Sequence, residues 1–199
     1  MSGLPGSSAP AGLADEDAAW TVASSQEHYT SPYVSLSVDT IVAPDGSEHG
    51  RAVVRPHGAV GVLAFDHEDR VLLVQQYRHP VRARLLEIPA GTLDVGGEGP
   101  EDAARRELGE ETDLVAEHWS VLLNLVTTPG YSTERWTVYL ATGLSVVPDA
   151  ERTEREAEEA DMTQWWMPFD DAVEAVLAGR VGDAMTVAAI LAEQARRVR

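Results

Sequence analysis

Three glutamates crowded onto one predicted helix are the feature that most constrains how this chain folds. Residues 105–112 read RRELGEET, which puts Glu107, Glu110 and Glu111 at positions i, i+3 and i+4. These positions share one helix face, where like charges cost about 0.2–0.5 kcal/mol per pair, so something must offset the repulsion. Two interpretations are open from the residues alone. The face is solvated with the neighbouring arginines as partners, or it binds a divalent cation, because hard cations prefer carboxylate oxygens.

The composition excludes several classes of site. The chain has 199 residues, no cysteine and a net charge of −18, with 33 acidic and 15 basic residues, every basic one an arginine. Disulfides, thiolate metal sites, Schiff-base lysines and lysine-dependent phosphate loops are therefore excluded. A surface this acidic disfavours a nucleic-acid partner. No apolar run is long enough for a membrane span and no signal peptide is visible, which favours a soluble, cytoplasmic protein without a membrane partner.

The chain divides into three predicted regions. Residues 1–16 are rich in Gly, Ser, Pro and Ala and predict a disordered tail. Residues 17–55 have strand-like patterns around a turn at Asp45-Gly46, which predicts a small antiparallel sheet. Residues 56–199 hold the remaining elements and form the predicted main domain.

The main domain alternates strand and helix patterns. AVGVLAFD (59–66) and RVLLVQQY (70–77) predict a hairpin covered on both faces. RLLEIPAG (84–91) predicts a short strand that ends at Pro89-Ala90-Gly91. Residues 101–112 predict a helix preceded by Pro100. Two strands flank the loop PGYST, QWWMPF predicts a further strand, and the last 31 residues, from FDDAVEAVLAGR onward, predict two amphipathic helices.

The stretch GTLDVGGEGPEDAARRELGEETDL, residues 91–114, resembles the signature of the Nudix hydrolase family. The family motif is Gly, five residues, Glu, seven residues, Arg-Glu, an aliphatic residue, one residue, Glu-Glu, one residue, Gly, an aliphatic residue. Here six residues separate Gly91 from Glu98, and Asp113 replaces the last glycine. The extra residue falls in a loop, and Asp tolerates the left-handed conformation common after a helix end. Neither departure changes the carboxylates.

The resemblance implies an α/β fold, namely a Nudix α/β/α sandwich with a mixed sheet, plus the small N-terminal antiparallel β domain. It also implies Mg²⁺ as cofactor, with Mn²⁺ as the alternative. It implies that Glu107 and Glu111 are metal ligands and that the Ala90 carbonyl is a further ligand oxygen. It implies that Glu110 is a ligand or a catalytic residue acting through water. Arg106 is then the catalytic residue that orients the glutamates, and Glu98 is a supporting carboxylate.

Two further segments resemble the ADP-ribose pyrophosphatase branch of that family. EIPAG precedes the motif, and Pro129 of PGYSTER follows Leu114 by 15 residues. The branch implies hydrolysis of ADP-ribose to AMP and ribose 5-phosphate by a homodimer that pairs through the N-terminal sheet. The alternatives are another nucleoside diphosphate derivative (a nucleotide sugar, NADH or a dinucleoside polyphosphate) or a nucleotide-binding regulator without catalysis.

The resemblance implies a general base on a loop after the later strands, where EREAEEAD offers Glu158 or Glu159; a solvated acidic loop is the alternative. Candidate substrate-binding residues also have simpler interpretations. For Arg78, the two interpretations are contact with a substrate phosphate and a surface ion pair. For Glu87, the interpretations are a hydrogen bond to adenine, orientation of Arg78, or a simple buried ion pair. The others are Arg51 and Arg55 on the adenine side, and Tyr131 and Glu134 near the terminal ribose or packed within their loop.

Overall fold

The computed structural model describes residues 7–152 and 161–199. Ten strands, three helices and one short 3-10 turn (Asp149–Glu151) lie in these two ranges. Their bounds are β1 Thr21–Thr30, β2 Val34–Val42, β3 Glu48–Pro56, β4 Ala59–Ala64, β5 Arg70–Arg78, β6 Ala83–Glu87, β7 Ala90–Thr92, α1 Pro100–Thr112, β8 Leu114–Val126, β9 Arg135–Val146, β10 Thr163–Pro168, α2 Phe169–Leu177 and α3 Ala184–Arg197. No helix in the described ranges is long and apolar enough to cross a membrane.

The N-terminal sheet is antiparallel, in the order β1-β2-β3, as the sequence predicts. Its outer strand β1 is exposed along its whole length. The sheet is joined to the main domain through the loop after β8. The N–H of Val54 donates to the Tyr131 carbonyl at 2.7 Å, and the N–H of Thr133 donates to the Val54 carbonyl at 3.0 Å. The PGYSTER loop is thus fixed against the N-terminal sheet.

The main domain has three layers. One sheet has the order β7-β4-β9-β8 with β4 and β9 parallel, and a second sheet has the order β10-β5-β6. Alternate residues of β4 serve the two faces: Val60 and Val62 pack with α1, whereas Leu63 packs with α2 and α3. This period of two is the one that a strand buried on both faces produces. The predicted α/β/α sandwich with a mixed sheet is confirmed.

The predicted hairpin of residues 59–66 and 70–77 is wrong. β4 pairs with β7 and β9, whereas β5 pairs with β10 and β6, so the two strands belong to different sheets. Within the described residues they share one isolated bridge, between Phe65 and Val71. Both strands are apolar on both faces, and apolar periodicity reports burial rather than the pairing partner.

The predicted short strand of residues 84–91 is present as β6 but ends at Glu87, and the second strand, β7, which begins after Pro89, was not predicted. β6 pairs with β5 in one sheet, and β7 pairs with β4 in the other. Proline has no N–H to donate to a ladder, while its carbonyl still accepts from the N–H of Val62 at 2.8 Å. The chain therefore crosses from one sheet to the other at Ile88-Pro89.

Helix α1 ends as the sequence predicts. Asp113 has φ 58° and ψ 31°, in the left-handed region, and its N–H donates to the Gly109 carbonyl at 2.9 Å. The buried side of α1 combines Ala103, Ala104 and Leu108 with the two carboxylates of Glu107 and Glu111. The helix thus carries charged groups into the interface between it and the sheet.

The left-handed residue after α1 gives a stability prediction. Replacing Asp113 with Ala should lower the free energy of unfolding relative to Asp113→Gly by about 1 kcal/mol, because a Cβ is unfavourable at this backbone conformation. Urea unfolding of the two variants, followed by circular dichroism, measures the difference. Equal midpoints for the two variants would contradict the prediction.

Candidate functional site

Arg106 is the hub of the acidic group predicted from the sequence. Its Nε and Nη2 donate to the two oxygens of Glu98 at 3.1 Å each, and its Nη1 donates to Glu107 at 2.8 Å and to Glu110 at 3.0 Å. The hydrogen bonds to Glu98, followed by the negative charge of Glu107, raise the pKa of Arg106 above its usual value. One planar guanidinium thus offsets the repulsion among carboxylates on the helix and in the preceding loop.

The acidic face is not a solvated surface. Glu107 is 9% exposed and Glu111 is 4% exposed, although Glu110 is more open. Arg105 does not join the group, because it pairs with Glu101 at 2.7 Å and lies over the ring of Trp119. The interpretation of a solvated face with both arginines as partners therefore does not hold for the two buried carboxylates.

The turn before the motif is packed against the two buried carboxylates. The N–H of Ala90 donates to Oε2 of Glu111 at 2.9 Å. At Gly91 there is no room for a side chain, since a Cβ would lie 1.9 Å from Cδ of Glu107. Glycine here therefore lets the Glu107 carboxylate keep its position against the backbone, and the reason is this close approach rather than the backbone conformation.

The donor set of this region suits a hard divalent cation. Glu107, Glu110 and Glu111 offer carboxylate oxygens beside the Ala90–Gly91 backbone, and Glu98 makes the group more negative than Arg106 can neutralise. Within residues 7–152 and 161–199, no three acidic or histidine side chains form a preformed metal cluster. Arg106 and the N–H of Ala90 hold several of these carboxylate oxygens.

Arg78 and Glu87 form a bidentate ion pair beside the acidic group. Nε of Arg78 donates to Oε1 of Glu87 at 2.9 Å and Nη2 donates to Oε2 at 2.6 Å, which raises the pKa of Arg78. Glu87 is buried and also accepts from Gln76. Of the interpretations left open by the sequence, the buried ion pair is present, and it also fixes the orientation of Arg78.

A cavity of about 440 Å³ adjoins both features. Its walls include polar groups from four separate segments: Arg78, Glu87, Ala90, Gly91, Glu134 and Asp183. Leu85 and Trp136 supply apolar surface. Glu134 is held in place because its Oε2 accepts from Oγ1 of Thr127 at 2.6 Å. The cavity thus combines one guanidinium, carboxylates and an aromatic ring next to the buried glutamates of α1.

Asp183 and Trp136 are cavity residues that the sequence reasoning missed. Asp183 caps α3 by accepting from the N–H and the hydroxyl of Thr186, both at 2.8 Å. The Thr186 hydroxyl oxygen accepts in turn from the N–H of Ile88 at 2.8 Å. The sequence signal for Asp183 was its position as an N-cap three residues before a threonine. Trp136 gave no signal, because it occupies an ordinary strand position.

Other predicted residues lie elsewhere. Arg51 lies on β3 and donates to the Gly50 carbonyl, and Arg55 pairs with Asp39 inside the N-terminal sheet at 2.7 Å. Tyr131 is exposed, and neither it nor Arg51 lines the cavity described above. Glu158 and Glu159 lie outside the described residues.

β10, the strand that follows residues 153–160, contacts the end of the glutamate helix. Nε2 of Gln164 donates to the backbone carbonyl of Glu111 at 3.1 Å. Thr163 of the same strand pairs with Gln75 of β5. The chain after the acidic run is thus fixed beside α1.

Comparisons with known proteins agree with this geometry. The chain is 44% identical over 172 residues to an ADP-ribose pyrophosphatase of Mycobacterium tuberculosis, covering 86% of this chain and 82% of that protein. It is 35% identical to a methanol dehydrogenase activator of Bacillus methanolicus, covering 83% and 87% of the two chains. A solved structure described as an ADP compounds hydrolase has the same fold, with a TM-score of 0.75 at 18% identity over 91% of this chain and 95% of the other. The NUDIX domain matches residues 55–188, and the chain therefore belongs to the NUDIX domain family.

Proposed function

We propose that this protein hydrolyses the pyrophosphate bond of ADP-ribose to give AMP and ribose 5-phosphate. The observation that carries the proposal is the contact of Glu107 and Glu111 with the Ala90–Gly91 turn, on the border of a cavity that holds Arg78. Carboxylates beside a guanidinium suit the binding of a diphosphate together with a divalent cation. The 44% identical relative named ADP-ribose pyrophosphatase supports this substrate.

Each side chain has a physical task in the proposed reaction. Mg²⁺, or Mn²⁺ as the alternative, would be held by the Ala90 carbonyl and the carboxylates of Glu107, Glu110 and Glu111. Such an ion, when bound, lowers the pKa of water and neutralises phosphate charge. Arg106 fixes the carboxylates through its planar fork, and Arg78, oriented by Glu87, contacts a phosphate of the substrate.

Water is the second reactant in the proposed hydrolysis. A water oxygen forms a bond to one phosphorus, the bridging P–O bond breaks, and the bridging oxygen leaves with the other phosphate. One proton of the water passes to a general base, for which Glu158 or Glu159 is our proposal. The terminal ribose lies towards Glu134 in this arrangement, and Tyr131 and Arg51 remain proposed substrate contacts.

Two other functions remain as candidates. Another nucleoside diphosphate derivative fits the same arrangement of carboxylates, because the cation and Arg78 recognise the diphosphate rather than the group attached to it. Activation of a partner enzyme is the second candidate, and the observation that favours it is the similarity to a methanol dehydrogenase activator. Adding the protein to a methanol dehydrogenase assay separates this candidate from hydrolysis of a free substrate.

Turnover of a substrate panel tests the proposal. With Mg²⁺ and an added phosphatase, phosphate release from ADP-ribose should be faster than from GDP-mannose, NADH or Ap4A. Glu111→Gln should reduce the rate by orders of magnitude, because the amide removes a charge from the proposed ligand set. Equal or faster turnover of one of the other three compounds would defeat the assignment of ADP-ribose.

The close contact at Gly91 gives a second prediction. Gly91→Ala should lower kcat/KM at least a hundredfold, because a Cβ there overlaps the Glu107 carboxylate and displaces it. Steady-state kinetics with ADP-ribose measures the effect, and circular dichroism checks that the variant is folded.

Gly96→Ala is the matched control for that substitution. Gly96 lies in the preceding loop, and a Cβ at this position has no atom within 4 Å. The control should keep the rate of the unchanged protein. A Gly91→Ala variant that is folded and equally active would show that the position of Glu107 does not limit the reaction.

We also propose that the protein is a homodimer that pairs through the N-terminal sheet. Three strands give little core of their own, and this sheet leaves Val22, Tyr29 and Val38 exposed. A second copy of the sheet would cover such residues.

Light scattering tests the dimer. The unchanged protein should have the mass of two chains. Val38→Asp should shift the measured mass towards that of one chain, because a carboxylate would be buried in the interface. Val95→Asp is the control, since Val95 is an exposed valine in the loop before α1. A mass of one chain for the unchanged protein at micromolar concentration would refute the proposal.

A further inference from the structure

Within residues 7–152 and 161–199, the indole N–H of Trp136 is a buried donor without a hydrogen-bond partner. Among the described residues, it is the buried side-chain nitrogen or oxygen for which the structure shows no hydrogen-bond acceptor. Tryptophan N–H groups usually find an acceptor when they are buried. Trp119 illustrates the usual case, because its Nε1 donates to the Ala116 carbonyl at 3.0 Å. The missing partner of Trp136 therefore needs an explanation.

The fold makes a specific space for this ring. A Cβ at Gly61 would lie 3.4 Å from Cζ3 of Trp136 and 2.8 Å from Cδ1 of Ile88, so glycine leaves room for both side chains. Cζ3 lies on the six-membered ring, on the opposite side of the indole from Nε1. The six-membered ring is thus packed over the sheet, while the N–H edge is turned away from that contact.

The cavity that holds Arg78 has space for a ligand beside the Trp136 ring. Trp136 lines it together with Glu134 and Asp183, and the same cavity reaches Gly91 beside the glutamates. Trp136 also borders a second cavity, lined by residues 15–17, whose lining does not include Arg78. Hydroxyl and phosphate oxygens are acceptors that suit a wall with one guanidinium and carboxylates.

We propose that Trp136 is a specificity-determining residue whose indole N–H donates to an oxygen of the sugar-phosphate half of the substrate. This inference rests on the proposed function and adds a residue to it. The described part of the chain leaves this buried donor without an acceptor, which is unfavourable. A substrate oxygen that reaches the N–H removes this penalty, so the hydrogen bond contributes to affinity rather than to the chemical step.

Trp136→Phe tests the inference, because it removes the N–H and keeps an aromatic ring. The KM for ADP-ribose should rise about tenfold with kcat nearly unchanged, as expected for loss of binding that is equal in the ground and transition states. The inhibition constant of ribose 5-phosphate should rise by a similar factor, whereas that of AMP should not change. A purely structural role of the ring would not separate these two products.

Trp119→Phe is the matched control. Trp119 is also half-buried, but it lies on the α1 side of the sheet against Tyr139, and its N–H is already bonded to the chain. Its replacement should leave KM and both inhibition constants unchanged. It should also lower the urea midpoint more than Trp136→Phe does, since it breaks a formed hydrogen bond whereas the other removes an unpaired donor.

The outcomes separate this inference from the proposed function. No turnover of ADP-ribose by the unchanged protein would overturn the proposed function. Normal turnover with the same KM in Trp136→Phe would overturn the role of Trp136 alone. Weaker inhibition by AMP instead of ribose 5-phosphate would overturn the assignment of the N–H to the sugar-phosphate half.

Discussion

The ion pairs of Arg106 are the interaction on which the rest of the site depends. Burying Glu107 beside an apolar stripe is unfavourable unless the charge is compensated, and a single guanidinium bonded to Glu98, Glu107 and Glu110 provides part of that compensation. Because the guanidinium is planar, it also fixes where the carboxylates lie. The helix can therefore pack against the sheet through a surface that includes charged groups, and the glutamates keep defined positions instead of spreading into solvent.

The site lies where the two sheets of the main domain separate. The chain leaves β6 at Glu87, crosses at Pro89 and enters β7 at Ala90, so one short segment connects the two sheets. Thr186 and Asp183 fix this crossing from the side of α3, and Glu111 fixes it from the side of α1. A crossing held from both helix layers gives a rigid border for the cavity, which is a favourable place for precise binding.

The sequence predicts those features that local chemistry determines. Spacing and backbone preference predict the helix of residues 101–112 and the left-handed Asp113, and the structure contains both. The family resemblance implies the pairing of Arg106 with the glutamates, which is also present. The pairing partners of β4 and β5 do not follow, because two strands that are apolar on both faces fit several sheet orders. Trp136 could not be found from the sequence either. Its proposed role comes from the lack of an acceptor among the described residues, which depends on segments that are distant along the chain.

Charge balance gives a physical reason for a cation in the proposed reaction. The chain carries a net charge of −18, and a diphosphate substrate is itself an anion. The two arginines of the site are both bonded to glutamates, so neither contributes an isolated positive charge to the cavity. Bringing two more phosphate charges next to Glu107 and Glu111 would be strongly repulsive without further neutralisation. A divalent ion bound by these carboxylates would reduce that repulsion. The negative charge of the site is therefore a physical reason for the proposed dependence of substrate binding on a metal.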